Sequence, residues 1–140
     1  MLVVIDANVI CSALLAKGKT ADIIFSGKIE PIAPELLFVE LEKHKNELLD
    51  KSKLSEEDFN VLLLLLKNKI RIVSSDEFKE YLSKANILLN GHEKDTEYVA
   101  LALKYNCPLW SKEKLLKKLK DIKVLDANEI MDLAGLWPIS

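Results

Sequence analysis

The sequence has few cysteines, no long apolar run and almost no excess of either charge, and each shortage excludes a class of protein. Cys11 and Cys107 are the only cysteines, so we expect no disulfide framework but free thiols, buried in apolar helical surroundings, in a reducing compartment. The longest purely apolar run, 61–66, is far too short to cross a bilayer. No basic leader precedes the first apolar residues. We therefore expect a cytoplasmic protein without a membrane span.

Charge and composition narrow the class further. Twenty basic and twenty-two acidic side chains give a net charge of −2, so the chain as a whole gains no electrostatic attraction to nucleic acid. Binding to nucleic acid would therefore need a local basic patch or a metal ion. A hydrophobic fraction of 49% and a charged fraction of 30% fit a folded globular protein. With 140 residues and no linker, repeat or low-complexity stretch, we expect one domain over 1–140.

Apolar runs of strand length alternate with helical patterns along the chain. This alternation is typical of a parallel sheet covered by helices on both faces. The predicted strands are 2–5, 32–33, 70–73, 108–110 and 123–125. The predicted helices are 8–15, 20–25, 34 to about 46, 55–69, 75–88, 93–105, 112–119 and one following Asp126. Expected helix caps are Thr20, Ser55, Ser75 or Asp76, and Asp126, and Pro34 is expected in a first helical turn. The fold class is thus α/β, a three-layer α/β/α arrangement around a mainly parallel sheet of four or five strands.

Asp6 follows the first apolar run directly and precedes a predicted helix. Functional sites of open parallel sheets lie in the crevice outside the carboxyl ends of the strands. The sequence therefore places one carboxylate at that edge of the sheet, and other acids that reach the same edge become candidates for a shared site.

Glu40 and Asp95 are the next candidates. Glu40 interrupts an apolar helical stretch and shares a face with Leu36 and Val39, which we expect to face the sheet; the alternative is a partly exposed acid paired with Lys43 or His44. Asp95 lies in a first helical turn above a buried face, where the alternative is a helix cap.

Glu113 is the fourth candidate, just past the strand at 108–110, and its alternative is a surface acid in a lysine-rich helix. Glu97 is expected to point away into solvent. A cluster of Asp6, Glu40, Asp95 and Glu113 would repel itself unless its members took up protons or divalent cations. Oxygen ligands without cysteine or histidine spacing favour Mg²⁺ or Mn²⁺ over zinc. Such ions can activate water for in-line attack on a phosphodiester.

Four segments together resemble the PIN-domain family of metal-dependent ribonucleases. They are VIDANV at 4–9, Ala33-Pro34 leading to Glu40, DTEYVALAL at 95–103 and PLWSKE at 108–113. The resemblance covers nearly the whole chain. This family includes the toxins of many bacterial and archaeal toxin–antitoxin pairs. The resemblance implies a PIN-like fold, RNA as substrate, an antitoxin protein as partner, and metal ligands at Asp6, Glu40, Asp95 and Glu113.

The resemblance also implies supporting roles for Asn8 and Ser111. Asn8 matches a polar residue that helps to order the first acid, and Ser111 matches a small hydroxyl residue near the metal. Glu113 departs from the pattern, because the family more often has aspartate there. The extra methylene moves the carboxylate by about one bond length, which would make its metal contact water-mediated or weaken a second metal site.

Lys112 and Lys114 flank the fourth acid and are the candidate phosphate-binding residues. Surface lysines are more often simply solvated. His44 and His92 could help to transfer protons, but a surface histidine on a helix is more often an ordinary surface residue. The leucine-rich stretch 61–66 has more apolar surface than one helix face can bury, so either a homodimer or a central packing helix is expected.

Three functions remain open from the sequence. The first is a ribonuclease that uses Mg²⁺ or Mn²⁺. The second is a non-catalytic PIN-like module that binds RNA or protein, which the substituted fourth acid and the lack of net positive charge favour. The third is a phosphotransferase or phosphatase with Asp6 as nucleophile, which ranks below the others because such enzymes usually have a second aspartate where this chain has Asn8.

Overall fold

The computed structural model describes residues 1–15, 18–91 and 93–136. A central sheet contains the strands β1 (Leu2–Ile5), β2 (Glu30–Pro34), β3 (Arg71–Val73), β4 (Leu109–Trp110) and β5 (Val124–Leu125). Their order is β3-β2-β1-β4-β5, and each strand pair in this sheet is parallel. The predicted α/β class with a parallel sheet of up to five strands is confirmed.

Helices occupy the connections from β1 to β4, and one more helix follows β5. They are α1 (Ala7–Leu15), α2 (Lys19–Phe25), α3 (Leu36–Lys43), α4 (Lys45–Ser52), α5 (Glu56–Lys69), α6 (Ser75–Phe78), α7 (Leu82–Leu89), α8 (Thr96–Tyr105) and α9 (Ala127–Ala134). Short 3₁₀ turns cover Lys79–Tyr81, Glu93–Asp95 and Leu116–Lys118. Within the described ranges, no helix is both long enough and apolar enough to cross a membrane.

The alternation of side chains along β1 divides the core into two layers. Val3 and Ile5 pack with α1 to α5 and α9 on one face of the sheet. Val4 points to the other face and packs with residues of α6, α7 and α8. β1 is the central strand, so both of its faces are covered, which explains its uninterrupted apolar sequence. The molecule therefore has helices on both sides of its sheet.

The chain order of the strands creates a crevice at one edge of the sheet. From β1 the chain moves outward through β2 to β3, and it then returns to the other side of β1 to form β4 and β5. The reversal lies between β1 and β4, whose pairing joins Val4 to Leu109 and Ile5 to Trp110. In open α/β sheets ligands bind at such a reversal, outside the carboxyl ends of the strands. Asp6 and Ser111 are the residues that follow these two strands.

Three predicted helix starts were wrong by one or two residues. Gly18 precedes α2, so Thr20 lies inside that helix. Pro34 is the last residue of β2, paired with Val73, because its fixed φ suits an extended strand end as well as a helix start. Ser74, and neither Ser75 nor Asp76, caps α6 through the amide of Asp76.

The predicted basic helix at 112–119 was also wrong, because only the 3₁₀ turn Leu116–Lys118 forms there. The backbone amide of Glu113 donates to the Ser111 hydroxyl at 3.1 Å. Such local side-chain bonds compete with helix formation. The closely spaced lysines of this segment also repel one another in a helix.

Two further predictions concerned the cysteines and the leucine-rich stretch 61–66. Cys11 and Cys107 are free thiols, as predicted, but both are only half-buried, and Cys107 lies between α8 and β4 and not in a helix. In α5, Phe59, Leu63 and Leu66 are buried, while Val61, Leu64 and Leu65 are exposed. The helix therefore does have more apolar surface than the described residues cover.

Candidate active site

Asp6 is held in a fixed position at the carboxyl end of β1. Its side chain is only 4% exposed, its Oδ1 accepts the backbone N–H of Val9 at 3.1 Å, and the Ser111 hydroxyl hydrogen-bonds to the carboxyl group. Burial raises the pKa of Asp6, and the charges of Glu113 and Glu40 raise it further, while the hydrogen bonds from Ser111 and Val9 act in the opposite direction. Hydrogen bonds therefore orient the carboxylate, while burial and the neighbouring negative charges destabilise its charged form.

Asp95 reaches the same edge from a different element. It ends the 3₁₀ turn Glu93–Asp95 and precedes α8; α8 runs back against the strand direction, so its N-terminus lies at the carboxyl edge of the sheet. The side chain is 6% exposed. Asp95 is the N-cap residue of α8, but its side chain accepts no capping hydrogen bond from that helix. Burial raises the pKa of Asp95 to about 7, with the charge of Glu113 and a hydrogen bond to Glu113 as further causes.

The second carboxyl oxygen of Asp95 has an unusual environment. Of the buried side-chain oxygens and nitrogens within 1–15, 18–91 and 93–136, Oδ2 of Asp95 is the one that lacks a hydrogen-bond partner. Leaving a buried polar atom unsatisfied costs about 1–3 kcal/mol, and more for a charged group. A proton or a cation at this oxygen would remove that cost.

Glu113 approaches through the loop that follows β4. Its side chain is 23% exposed, and its Oε1 lies 3.1 Å from Nζ of Lys94, whose side chain is 71% exposed. The raised pKa of Lys94 has this hydrogen bond and the charge of Glu113 as its main causes, followed by the charges of Asp95 and Glu40. An ammonium group thus lies among the acids.

Glu40 is brought to the site by α3, and its partner comes from α8. The hydroxyl of Tyr98 donates to Oε1 of Glu40 at 2.5 Å. Tyr98 is 2% exposed, and burial and this hydrogen bond raise its pKa above the ordinary value. Glu40 is half-buried. The sequence had offered Lys43 or His44 as alternative partners of Glu40, and in the structure Tyr98 is its partner.

The orientation predicted for α3 was partly wrong. Val39, expected to face the sheet, is 63% exposed, and Leu37 and Leu41 form the buried face of the helix. Glu97 was expected to be solvated but is half-buried. Burial raises its pKa, and the charges of Glu40 and Glu35 add to the effect. The acidic surface therefore extends beyond the four predicted acids.

All four predicted acids line one cleft of about 230 Å³. The other side chains in its wall are Ala7, Asn8, His44, Lys94 and Tyr98. Ser111 is fully buried beneath the cleft and reaches it through Asp6. Lys112 and Lys114 are exposed and do not line the cleft in the structure. His92 lies outside the described residues.

Sequence reasoning missed the roles of Lys94 and of the Tyr98 hydroxyl in this cleft, whereas it had offered His44 as an alternative partner of Glu40 and as a proton carrier. Tyr98 lies one helical turn after Asp95 and was assigned to the buried face, which is correct for its ring but leaves out its hydroxyl. Lys94 directly precedes Asp95, and this adjacency was the available signal. His44 lies one turn after Glu40, at the break between α3 and α4.

The arrangement fits a water-rich divalent metal site better than a complete protein cage. Within the described part of the chain, no group of three or more His, Cys, Asp or Glu side chains is arranged to hold a metal ion. Mg²⁺ keeps several waters and is usually bound through one or two carboxylates, and the same oxygen ligands suit Mn²⁺. Asp6 and Asp95 are the residues that fit this role, because both are buried carboxylates in the cleft wall and Oδ2 of Asp95 is unpartnered.

The comparison with family models decides the family. Residues 4–123 match the model of the PIN domain. The chain belongs to the PIN domain family. The comparison with curated proteins finds none that matches.

Solved structures show the same fold at low sequence identity. A toxin–antitoxin complex from Klebsiella pneumoniae contains a chain with a TM-score of 0.65 and 11% identity, over 89% of this chain and 97% of that one. VapBC2 from Rickettsia felis, bound to a DNA fragment from its promoter, contains a chain with a TM-score of 0.68 and 14% identity, over 90% of this chain and 98% of that one. The predicted PIN fold is therefore confirmed.

Proposed function

We propose that this PIN domain, over residues 1–140, is a ribonuclease that depends on Mg²⁺ or Mn²⁺ and hydrolyses RNA phosphodiester bonds. The observation that carries the proposal is the pair of buried carboxylates, Asp6 and Asp95, in one cleft, with Oδ2 of Asp95 unpartnered. A divalent cation bound there would polarise a water and the phosphate oxygens. The family of the chain supports the same chemistry.

The residues of the chain have separate tasks in this proposal. Asp6 and Asp95 hold the cation, and Glu40 and Glu113 join them through water or directly. Ser111 orients Asp6 by its hydrogen bond. Asn8 lines the cleft beside Asp6. Lys112 and Lys114 stay the predicted phosphate contacts along the RNA, outside the cleft itself.

The test is the substitution Asp6→Asn. Asparagine keeps an oxygen that can accept the N–H of Val9 but removes the charge, so we expect the fold to persist and RNA cleavage to be lost. Cleavage of a single-stranded RNA is measured with Mg²⁺, with Mn²⁺ and with a chelator. The control is Asp50→Asn, which makes the same chemical change at an exposed position on α4. We expect this variant to cleave RNA normally. Undiminished cleavage by the Asp6 variant, or by the wild type in chelator, contradicts the proposal.

The second candidate is a non-catalytic module that binds RNA or protein. One observation favours it: Oε1 of Glu113, the acid that departs from the family pattern, is paired with Lys94. An RNA titration separates the two functions, because binding without cleavage in any divalent metal ion supports the module and excludes the nuclease.

An antitoxin partner is the remaining part of the proposal. Both structural neighbours described above come from toxin–antitoxin systems, and we propose that this chain is the toxin of such a pair in the cytoplasm. The experiment is co-expression with the product of a short adjacent gene, followed by light scattering on the eluted complex. A stable complex supports the pairing, and a chain that elutes without the co-expressed product contradicts it. Elution of the free chain as a homodimer would support self-association, for which the exposed apolar side chains of α5 are the candidate surface.

A further inference from the structure

We propose that Lys94 is an exchangeable counter-ion of the acidic cleft: its ammonium group holds Glu113 when no metal ion is bound, and it pairs with an RNA phosphate when a divalent cation occupies the carboxylates. This inference rests on the proposed nuclease function for its second half only. Its first half concerns the side chains alone.

The geometry places Lys94 between the acids and the solvent. Its Nζ lies 3.1 Å from Oε1 of Glu113, and its side chain lines the same cleft as Asp6 and Asp95. The lysine side chain is 71% exposed, whereas Glu113 is 23% exposed. Ion pairs with one partner this exposed are weak. The ammonium can therefore leave Glu113 without any rearrangement of the backbone.

The charges of the cleft give the exchange a direction. Four carboxylates line the cleft. Among the described residues of its wall there is one lysine, Lys94, and no arginine. A divalent cation adds two positive charges and competes with the ammonium for the carboxylate oxygens. Once Glu113 is shared with that cation, Lys94 is repelled by it and is attracted to the phosphate that the cation draws in.

The unpartnered oxygen of Asp95 supports the same assignment. Oδ2 of Asp95 has no hydrogen-bond partner among the described residues, although Asp95 is the next residue after Lys94 in the chain. The ammonium therefore pairs with Glu113 and leaves the more buried carboxylate open to a cation. The two positive charges have separate places in the cleft.

The experiment compares Lys94→Met with Lys94→Arg and with a matched control. Lys84 pairs with Asp121 at 3.4 Å, with both side chains exposed, so Lys84→Met removes an ion pair of the same kind away from the cleft. Mn²⁺ affinity is measured by calorimetry on metal-free protein. RNA cleavage is measured as KM and kcat over a range of salt concentrations.

We expect Lys94→Met to bind Mn²⁺ about threefold to tenfold more tightly, because a competing positive charge is gone. We expect its KM for RNA to rise about threefold to tenfold with a small change in kcat, and the salt dependence of RNA binding to fall by about one charge. Lys94→Arg keeps the positive charge at this position, so it should retain wild-type values within about twofold. Lys84→Met should change neither quantity.

The link to Glu113 is tested in a Glu113→Gln background. There the ammonium has lost the one carboxylate that it contacts, so Lys94→Met should alter Mn²⁺ affinity less than it does in the wild type. Unchanged or weaker Mn²⁺ binding by Lys94→Met overturns the exchange. Unchanged KM and salt dependence overturn the phosphate contact. If the wild type cleaves no RNA, the nuclease function fails, and the Mn²⁺ titrations still decide whether Lys94 competes with a cation.

Discussion

At the scale of single residues, the site depends on hydrogen bonds that cross between elements. Tyr98 on α8 holds Glu40 on α3, although the two residues are 58 positions apart. Hydrogen-bond partners of this kind orient metal-binding carboxylates, and their loss typically costs 10–100-fold in metal affinity or activity. The position of Glu40 in the cleft therefore depends on a residue that belongs to the core on the far side of the sheet.

Tyr98→Phe tests this dependence. We expect its Mn²⁺ affinity to fall about tenfold and its free energy of unfolding to fall by about 1.5–3 kcal/mol, because a buried hydrogen bond to a charged group is lost. Tyr105→Phe is the matched control on the same helix, since Tyr105 donates to Glu77 at 2.8 Å on the exposed surface. Tyr105→Phe should change the free energy of unfolding by no more than about 0.5 kcal/mol. Equal effects of the two variants on Mn²⁺ affinity would contradict a positioning role for Tyr98.

At the scale of elements, the start of α9 is the best-defined helix end. Asp126 accepts the N–H of Glu129 at 2.9 Å, and the Glu129 side chain accepts the N–H of Asp126 at 3.1 Å, so the two residues form a capping box. Lys117 pairs with both acids. The hydrogen bond from the Glu129 amide is the main reason that the pKa of Asp126 lies below its ordinary value of 3.8. The sequence predicted this cap correctly, because every contact of the box lies within four residues.

Asp126→Ala should therefore destabilise the protein by about 1 kcal/mol at neutral pH. Because folding lowers the pKa of Asp126, its contribution is complete above pH 3.8 and disappears as the pH falls through the lower value in the folded protein. Chemical unfolding of wild type and variant at pH 7 and about pH 2.5 measures the difference. Asp132→Ala, an exposed acid near the other end of α9, should not destabilise the protein. A difference between wild type and Asp126→Ala that is as large in acid as at pH 7 would contradict a contribution from the carboxylate charge.

At the scale of the whole molecule, the residues that could be predicted are those fixed by local pattern. Asp6 follows an apolar strand, and Asp95 precedes an amphipathic helix, so strand direction alone brings them to one edge. Lys94 and the Tyr98 hydroxyl could not be assigned in this way, because their partners are chosen by the packing of α3, α8 and the loop after β4. The prediction of a helix at 112–119 failed for a related reason. The composition of this segment favours a helix, but the hydrogen bond from the Glu113 amide to Ser111 and the path of the chain to β5 determine its conformation.

The fold gathers repelling carboxylates at one edge, and this makes the stability of the whole protein depend on pH and, under the proposed function, on divalent cations. Folding raises the pKa of Asp95 from 3.8 to about 7, so its folded state binds a proton more strongly than its unfolded state. The stability linked to Asp95 is therefore complete below pH 3.8 and is lost as the pH rises to about 7. A divalent cation bound at the same oxygens, as the proposed function requires, would compete with that proton and would stabilise the fold by about 2.7 kcal/mol at a concentration of 100 Kd.

Thermal unfolding with Mn²⁺ and with a chelator, at about pH 5 and about pH 8, tests this linkage. In chelator we expect the wild type to lose stability relative to Asp95→Asn as the pH rises from about 5 to about 8, because asparagine stays neutral. The pH effects of the groups that both proteins share cancel in this comparison. Mn²⁺ should raise Tm more at pH 8 than at pH 5 in the wild type and little in the variant. Equal gains at both pH values, or equal gains in both proteins, would show that the cation does not bind at Asp95, because binding there must displace the proton that burial and Glu113 hold in place.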